Sequence, residues 1–117
     1  MKTFLFVQHQ APHKNLVGQE GLDAVLMGSA FVNCTLLFMD DGVFQLLRSQ
    51  NPDVIGRKNY PATYVALRDY GVDHIYCSVS SMDDRKVMRE DLIIEHECLS
   101  DRAIASLFDT HDVILSF

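Results

Sequence analysis

The side chains able to do covalent sulfur chemistry are three cysteines, Cys34, Cys77 and Cys98. Their number is odd, their spacings are wide and no CxxC pair occurs. Neither a disulfide framework nor a zinc site is therefore expected. Cys77 is the candidate catalytic thiol. It closes the stretch His74-Ile-Tyr-Cys-Ser78, and Ser78, Ser80 and Ser81 then read as a polar turn. A thiol beside free backbone N–H groups has a lowered pKa, and the thiolate is the nucleophile and the sulfur carrier. The opposing reading places Cys77 at a strand end pointing into the core, because free cysteine is among the most buried residue types. Cys98 follows His96 and Glu97. Residues two apart share a face of a strand, so His96 and Cys98 pair only if a strand continues to Cys98. A polar strand end is the expectation there, and Cys34 is expected in the core.

Asp40 and Asp41 could suggest a metal or phosphoacceptor pocket, but no further acidic residue is visibly placed to complete one. Either is expected to cap a helix instead. His9 and His13 could act as ligands or bases, or stand as solvated loop residues. Their loop holds no glycine before Gly18, so it does not resemble a phosphate cradle. No GxSxG, P-loop or HExxH motif occurs. No metal site and no cofactor are read from the chain.

These side chains must be positioned by an alternation of short strands and helices. Thr3–Val7 is expected as the first strand. Gln19 to about Val32 follows as a helix, with Leu22, Val25, Leu26 and Ser29 as its packing stripe. Its Ala24 and Gly28, four apart, allow close approach to another element. Thr35–Met39 is a continuous apolar run, as in a central strand covered on both faces. Gly42 eases the bend into a short helix, where Val43, Phe44, Leu46 and Leu47 are apolar all round. They are either core or the face of a partner contact. A long surface loop is expected up to Asn59, and a helix from Pro61 to Gly71. Strands are expected at His74–Ser78, Leu92–Glu95 and Val113–Phe117, with Asp83–Asp91 as a charged loop or frayed turn. Ser100 is expected to cap a helix to Phe108, with Ile104, Leu107 and Phe108 facing inward. This alternation predicts an α/β protein, a three-layer α/β/α sandwich around a five-stranded, mainly parallel sheet. In such sheets ligands bind beyond the carboxyl ends of the strands.

A chain of 117 residues holds one domain, 1–117, and a hydrophobic fraction of 48% fills a real core. No apolar run reaches the roughly 18 residues of a membrane span, so no membrane partner is expected. The N-terminus lacks a long apolar region and a cleavage site, which points to a cytoplasmic protein. The net charge of −6 argues against direct nucleic-acid binding.

Several blocks together resemble the TusC/DsrF family over essentially the whole chain. They are Ala11-Pro12-His13, Gly18-Gln-Glu-Gly-Leu-Asp-Ala24, Asp41-Gly-Val-Phe-Gln-Leu-Leu47 with Gln50, Tyr60-x-Ala-Thr63, and His111-Asp-Val-Ile-Leu-Ser-Phe117. The resemblance implies the DsrE/F-like fold. It also implies a subunit of a heterohexamer built with two related small chains, TusB/TusD-like or DsrH/DsrE-like. In the Tus form that assembly passes persulfide sulfur through a TusE-like acceptor toward 2-thiolation of the tRNA wobble uridine. In the Dsr form, with a DsrC-like acceptor, the relatives serve intracellular sulfur oxidation. The family's sulfur-carrying cysteine belongs to the sister D/E subunit, where an Ala-rich turn with Arg-Gly follows it. Cys77 sits near that place, but Ser78-Val-Ser-Ser-Met-Asp-Asp-Arg85 departs from the pattern. The implied role is a non-catalytic structural subunit. The alternative is a sulfurtransferase carrying persulfide on Cys77 itself. Asp41, Val43, Phe44, Leu46 and Leu47 then read as the turn that a sister subunit covers.

Overall fold

Thr35-Leu-Leu-Phe38 and Leu5-Phe-Val7 have no polar alternation, and both become central strands packed on two faces. The computed structural model describes residues 2–9, 23–25, 27–29, 32–46, 72, 74–91 and 97–117. Five strands are described: β1 (Thr3–Gln8), β2 (Asn33–Phe38), β3 (His74–Ser78), β4 (Glu97–Leu99) and β5 (Val113–Ser116). They form one sheet in the order β4-β3-β2-β1-β5, and every pairing is parallel. Two α-helices are described, α1 (Val79–Asp84) and α2 (Asp101–Thr110), together with a 3-10 turn over Asp40–Leu46. Residues 23–25, 27 and 28 are also helical. Among the described residues no helix is long and apolar enough to cross a membrane.

The pleat sends alternate residues of each strand to opposite sides. Phe6, Cys34, Leu36, Phe38, Ile75 and Cys77 meet Val25, Val43, Val72, Met82 and Val87 on one face. Leu5, Val7 and Leu37 meet Ile104 of α2 on the other, with Tyr76, Leu99, Leu107 and Phe108 packed around them. Helical elements thus cover both faces, giving the expected α/β sandwich. Ser100 caps α2 as expected, its hydroxyl accepting from the Ala103 N–H at 3.3 Å.

Three local expectations change. Ser78 does not open a polar turn; it is the N-cap of α1, its hydroxyl accepting from the Ser81 N–H at 3.2 Å. The charged segment after it therefore begins as a helix, and closes as a 3-10 turn over Arg89–Asp91. The fourth strand lies at Glu97–Leu99, so Cys98 is a strand residue and not part of a polar end. The expectations for Leu92–Glu95, His96, His13, Leu47, the loop to Asn59 and the helix from Pro61 to Gly71 fall outside the described residues.

Candidate functional site

The carboxyl ends of the strands are where the sequence places chemistry, and two different surroundings meet there. Beyond β1 and β2 the chain makes a tight crossing. The Met39 N–H donates to the Gln8 carbonyl at 3.1 Å, and the Gly42 N–H donates to the Met39 carbonyl at 2.9 Å. Only glycine fits at this crossing: a Cβ on residue 42 would lie 1.9 Å from the Gln8 carbonyl oxygen. Asp40 turns the corner with a left-handed φ of 51°, a conformation that aspartate tolerates better than most residues. Beneath the turn the Gln45 side-chain amide donates to the Gln8 side-chain carbonyl at 3.4 Å, with both residues buried.

The two acidic residues do not cap the 3-10 turn. The Asp40 carboxylate lies 2.8 Å from the His9 Nδ1, and the Asp40 N–H donates to the Ser81 hydroxyl at 2.9 Å. The Asp41 carboxylate accepts from the Arg85 guanidinium at 2.9 Å, while Arg85 also donates to the Ser81 carbonyl. The string of polar contacts continues from Ser81 through Ser78 to Ser80, whose hydroxyl lies 2.8 Å from Asp101 on α2. His9 is thus fixed against Asp40 and is not a free loop residue. Nothing local in the sequence announces this network, because its key pairs are 41 and 44 residues apart.

Beyond β3 and β4 the surroundings are sulfur and hydrocarbon. Cys77 is 0% exposed. Its pKa is pushed up to about 12, first by burial and then by the neighbouring Cys98. That shift is opposite to the lowering expected of a rim thiol beside free N–H groups. The nearby Ser81 N–H is spent on the Ser78 cap. Cys98 is the direct register partner of Cys77 across β3 and β4, so their side chains leave the same face of the sheet. The Cys98 Sγ lies 3.8 Å from the Met82 Sδ and lines a cavity of about 260 Å³. Cys34 is buried at the amino end of β2, with its pKa raised by burial.

Of the turn expected at a subunit contact, Val43 is 0% exposed within its own chain. Phe44 is half-buried against the same core, and the Asp41 side chain is 48% exposed. Leu46 belongs to the 3-10 turn, and nothing is described of its side chain.

A second cavity, of about 430 Å³, opens at the amino ends of the strands. Its walls include Thr35, His74, Tyr76 and His111. His111 Nδ1 sits 2.8 Å from the Leu107 carbonyl, which can only accept, so that nitrogen carries the proton. Its Nε2 meets the Thr35 hydroxyl at 3.0 Å. His111 stands in the C-terminal block but was given no role from the sequence, since its partner is 76 residues away.

Comparison with known proteins agrees with this geometry. The DsrE/DsrF-like family model matches residues 2–117. The intracellular sulfur oxidation protein DsrF of Allochromatium vinosum is 39% identical over 94 residues, spanning 80% of this chain and 69% of that protein. The crystal structure of the Escherichia coli YchN protein superposes with a TM-score of 0.84 over the full length of both chains, at 22% identity. That likeness speaks for the fold alone. With a family model over nearly every residue and a relative of this identity, the chain belongs to the DsrE/DsrF-like family.

Proposed function

We propose that this chain is a non-catalytic subunit of a multi-subunit sulfur-relay complex, held against two related small chains. The observation that carries the reading is the sealed thiol: Cys77 is 0% exposed, and burial pushes its pKa up to about 12. At neutral pH such a group is almost entirely thiol, while sulfur transfer needs the thiolate. Membership of a family whose named relative is a sulfur oxidation protein supports the process, and the buried cysteine supports the supporting role.

The contact runs over the Asp40–Leu46 turn. Asp41 and Phe44 present the accessible part of it and Val43 braces it from beneath; Leu46 and Leu47 are the next apolar residues in the sequence. A half-buried aromatic beside a charged pair suits the anchor of an obligate interface. In this proposal the relay ends on the 2-thiolation of the tRNA wobble uridine through a TusE-like acceptor, in the cytoplasm, the Tus form of the family that the Asp41–Leu47 and His111–Phe117 blocks resemble. The second reading, delivery through a DsrC-like acceptor in intracellular sulfur oxidation, is favoured by the name of the 39% identical relative.

The test is purification from native lysate, with identification of the small proteins that follow. Two related chains co-purifying in equal amounts is the expected result, and a well-behaved monomer that ignores them overturns the reading. Loss of 2-thiouridine from tRNA on deletion of the gene supports the thiolation branch. Intact 2-thiouridine with failed sulfur oxidation selects the other.

A further inference from the structure

β5 stands last in the strand order and pairs with β1 alone. Among the described residues, the backbone of 113–116 makes hydrogen bonds toward β1 only. Its outer row of N–H and C=O groups is an open template for another strand. Proteins guard such an edge with lysine, proline, a bulge or an inward-pointing charge. Val113-Ile-Leu-Ser116 carries no charged residue and no proline, and its register with β1 runs unbroken from Val113 to Ser116.

The apolar layers of the sheet also run out onto this strand. Ile114 is the register partner of Leu5, and Leu115 is the register partner of Phe6, so the two side chains leave opposite faces. They are 38% and 37% exposed, while one strand inward Leu5 and Phe6 are 0% and 2% exposed. Both faces thus reach this edge with an apolar residue left half in water.

We propose that β5 is the docking edge for a second copy of this chain, the two β5 strands pairing antiparallel across a two-fold axis. The occupant follows from self-complementarity. An antiparallel copy offers donors and acceptors at the same spacing. A two-fold axis normal to the sheet keeps each face on its own side, so residues that oppose one another share a face. Centred on Ile114, the pair sets Ile114 against Ile114 of the copy, and Val113 against Leu115 of the copy. Every central contact is then apolar. Centred on Leu115, it would set Ile114 against Ser116.

Charge agrees with this arrangement. The Asp112 carboxylate accepts from the Thr3 N–H at 2.9 Å and from the Thr3 hydroxyl at 3.2 Å, which holds it to β1. Antiparallel pairing keeps the two Asp112 residues at opposite ends, each opposite Ser116. A parallel copy in the same register would set them side by side, which is unfavourable. A pair of four-residue strands buries less than the roughly 1,000 Å² of a stable interface, so the association is reversible and concentration-dependent. No residue of the Asp40–Leu46 turn takes part, so this contact stands apart from the proposed sister-chain surface.

The test is sedimentation equilibrium of the full chain from about 10 μM to about 1 mM, the range of weak association. The expected result is a reversible passage from one chain to two, with no larger species, because a two-fold pair closes. Ile114→Lys and Ile114→Glu each weaken the dimer by at least about ten-fold, since like charges then oppose one another. Mixing the two variants restores it. Met88→Lys, at an apolar residue that is 61% exposed elsewhere on the surface, leaves it unchanged. In the native chain, amide exchange within 113–116 slows as concentration rises, a readout that needs no variant to fold. A monomer at the highest concentration, an open-ended polymer, a dimer that either charge leaves intact, or no rescue on mixing each overturns the proposal. So does equal loss in Met88→Lys. Protection of β5 that appears only when a different chain is added gives the edge another occupant and also overturns it.

Discussion

Beyond β1 and β2 the sheet ends in a polar, cross-linked rim. His9, Asp40, Ser81, Asp41 and Arg85 each hold a defined partner there, and the chain folds tightly over the Gln8 carbonyl. Beyond β3 and β4, a strand's width away, it ends in Cys77, Cys98 and Met82, with a fully covered thiol at the place where sequence would look for a nucleophile. The contrast teaches which half carries geometry and which half is dry. A polar rim with fixed partners sets the position of the Asp40–Leu46 turn, the proposed contact surface. The covered Cys77 thiol, its pKa raised by burial, keeps its proton and does no nucleophilic work at neutral pH.

Substitutions at four positions can break or sharpen that contrast. Gly42→Ala has the largest expected effect. Its Cβ would meet the Gln8 backbone at 1.9 Å, and backbone cannot rotate aside. A loss of about 3 kcal/mol or more is expected in urea unfolding. A near-neutral result would mean that the crossing is looser than its hydrogen bonds imply.

On the dry side, Cys77→Ser should cost about 1–3 kcal/mol more than Cys77→Ala, because a hydroxyl there enters apolar ground. Equal costs would show a polar environment around the sulfur. The same thiol gives a pH signature. Its folded pKa of about 12 lies above the unfolded value, which is about 8.5. Above that lower value the unfolded chain releases a proton that the native chain keeps, so the Cys77 contribution is whole below about pH 8.5 and is lost as pH rises toward 12. Cys77→Ala should flatten this alkaline decline in a pH series of unfolding curves.

Ser78→Ala, at the junction of the two halves, removes the cap of α1 and should cost about 1 kcal/mol, read by thermal unfolding. The smallest effect belongs to the rim ion pair. Asp41 and Arg85 are partly exposed, and Asp41→Asn should cost about 0.5 kcal/mol, shrinking further in high salt. An undiminished loss at high salt would show the pair to be more enclosed than its exposure suggests.

The dry half was the more legible of the two. The apolar runs at Leu5–Val7, Leu36–Phe38 and His74–Ser78 state their strands directly, and Ser100 states its cap, because these signals are local. β4 is described at Glu97–Leu99, while the strand expected at Leu92-Ile-Ile-Glu95 lies outside the described residues. The three described residues, Glu97-Cys-Leu99, carry too little pattern to state a strand by themselves. α1 was hidden for a related reason: Val79-Ser-Ser-Met carries little helical propensity, and the helix is held by the Ser78 cap and by burial of Met82. The polar rim could not be read at all, since Asp40 meets Ser81 and Asp41 meets Arg85 only after the strands have aligned.

The most direct test of the central claim is sulfur transfer by the proposed complex, reconstituted with the two related chains that the pull-down identifies and fed a persulfide donor, with the mass of each chain followed in time. The account predicts no adduct of about 32 Da on this chain, one sulfur atom being carried only by a reactive thiolate, and undiminished delivery to the acceptor when Cys77→Ala replaces the native chain. An adduct on this chain that Cys77→Ser abolishes, together with a collapse of delivery, would contradict it.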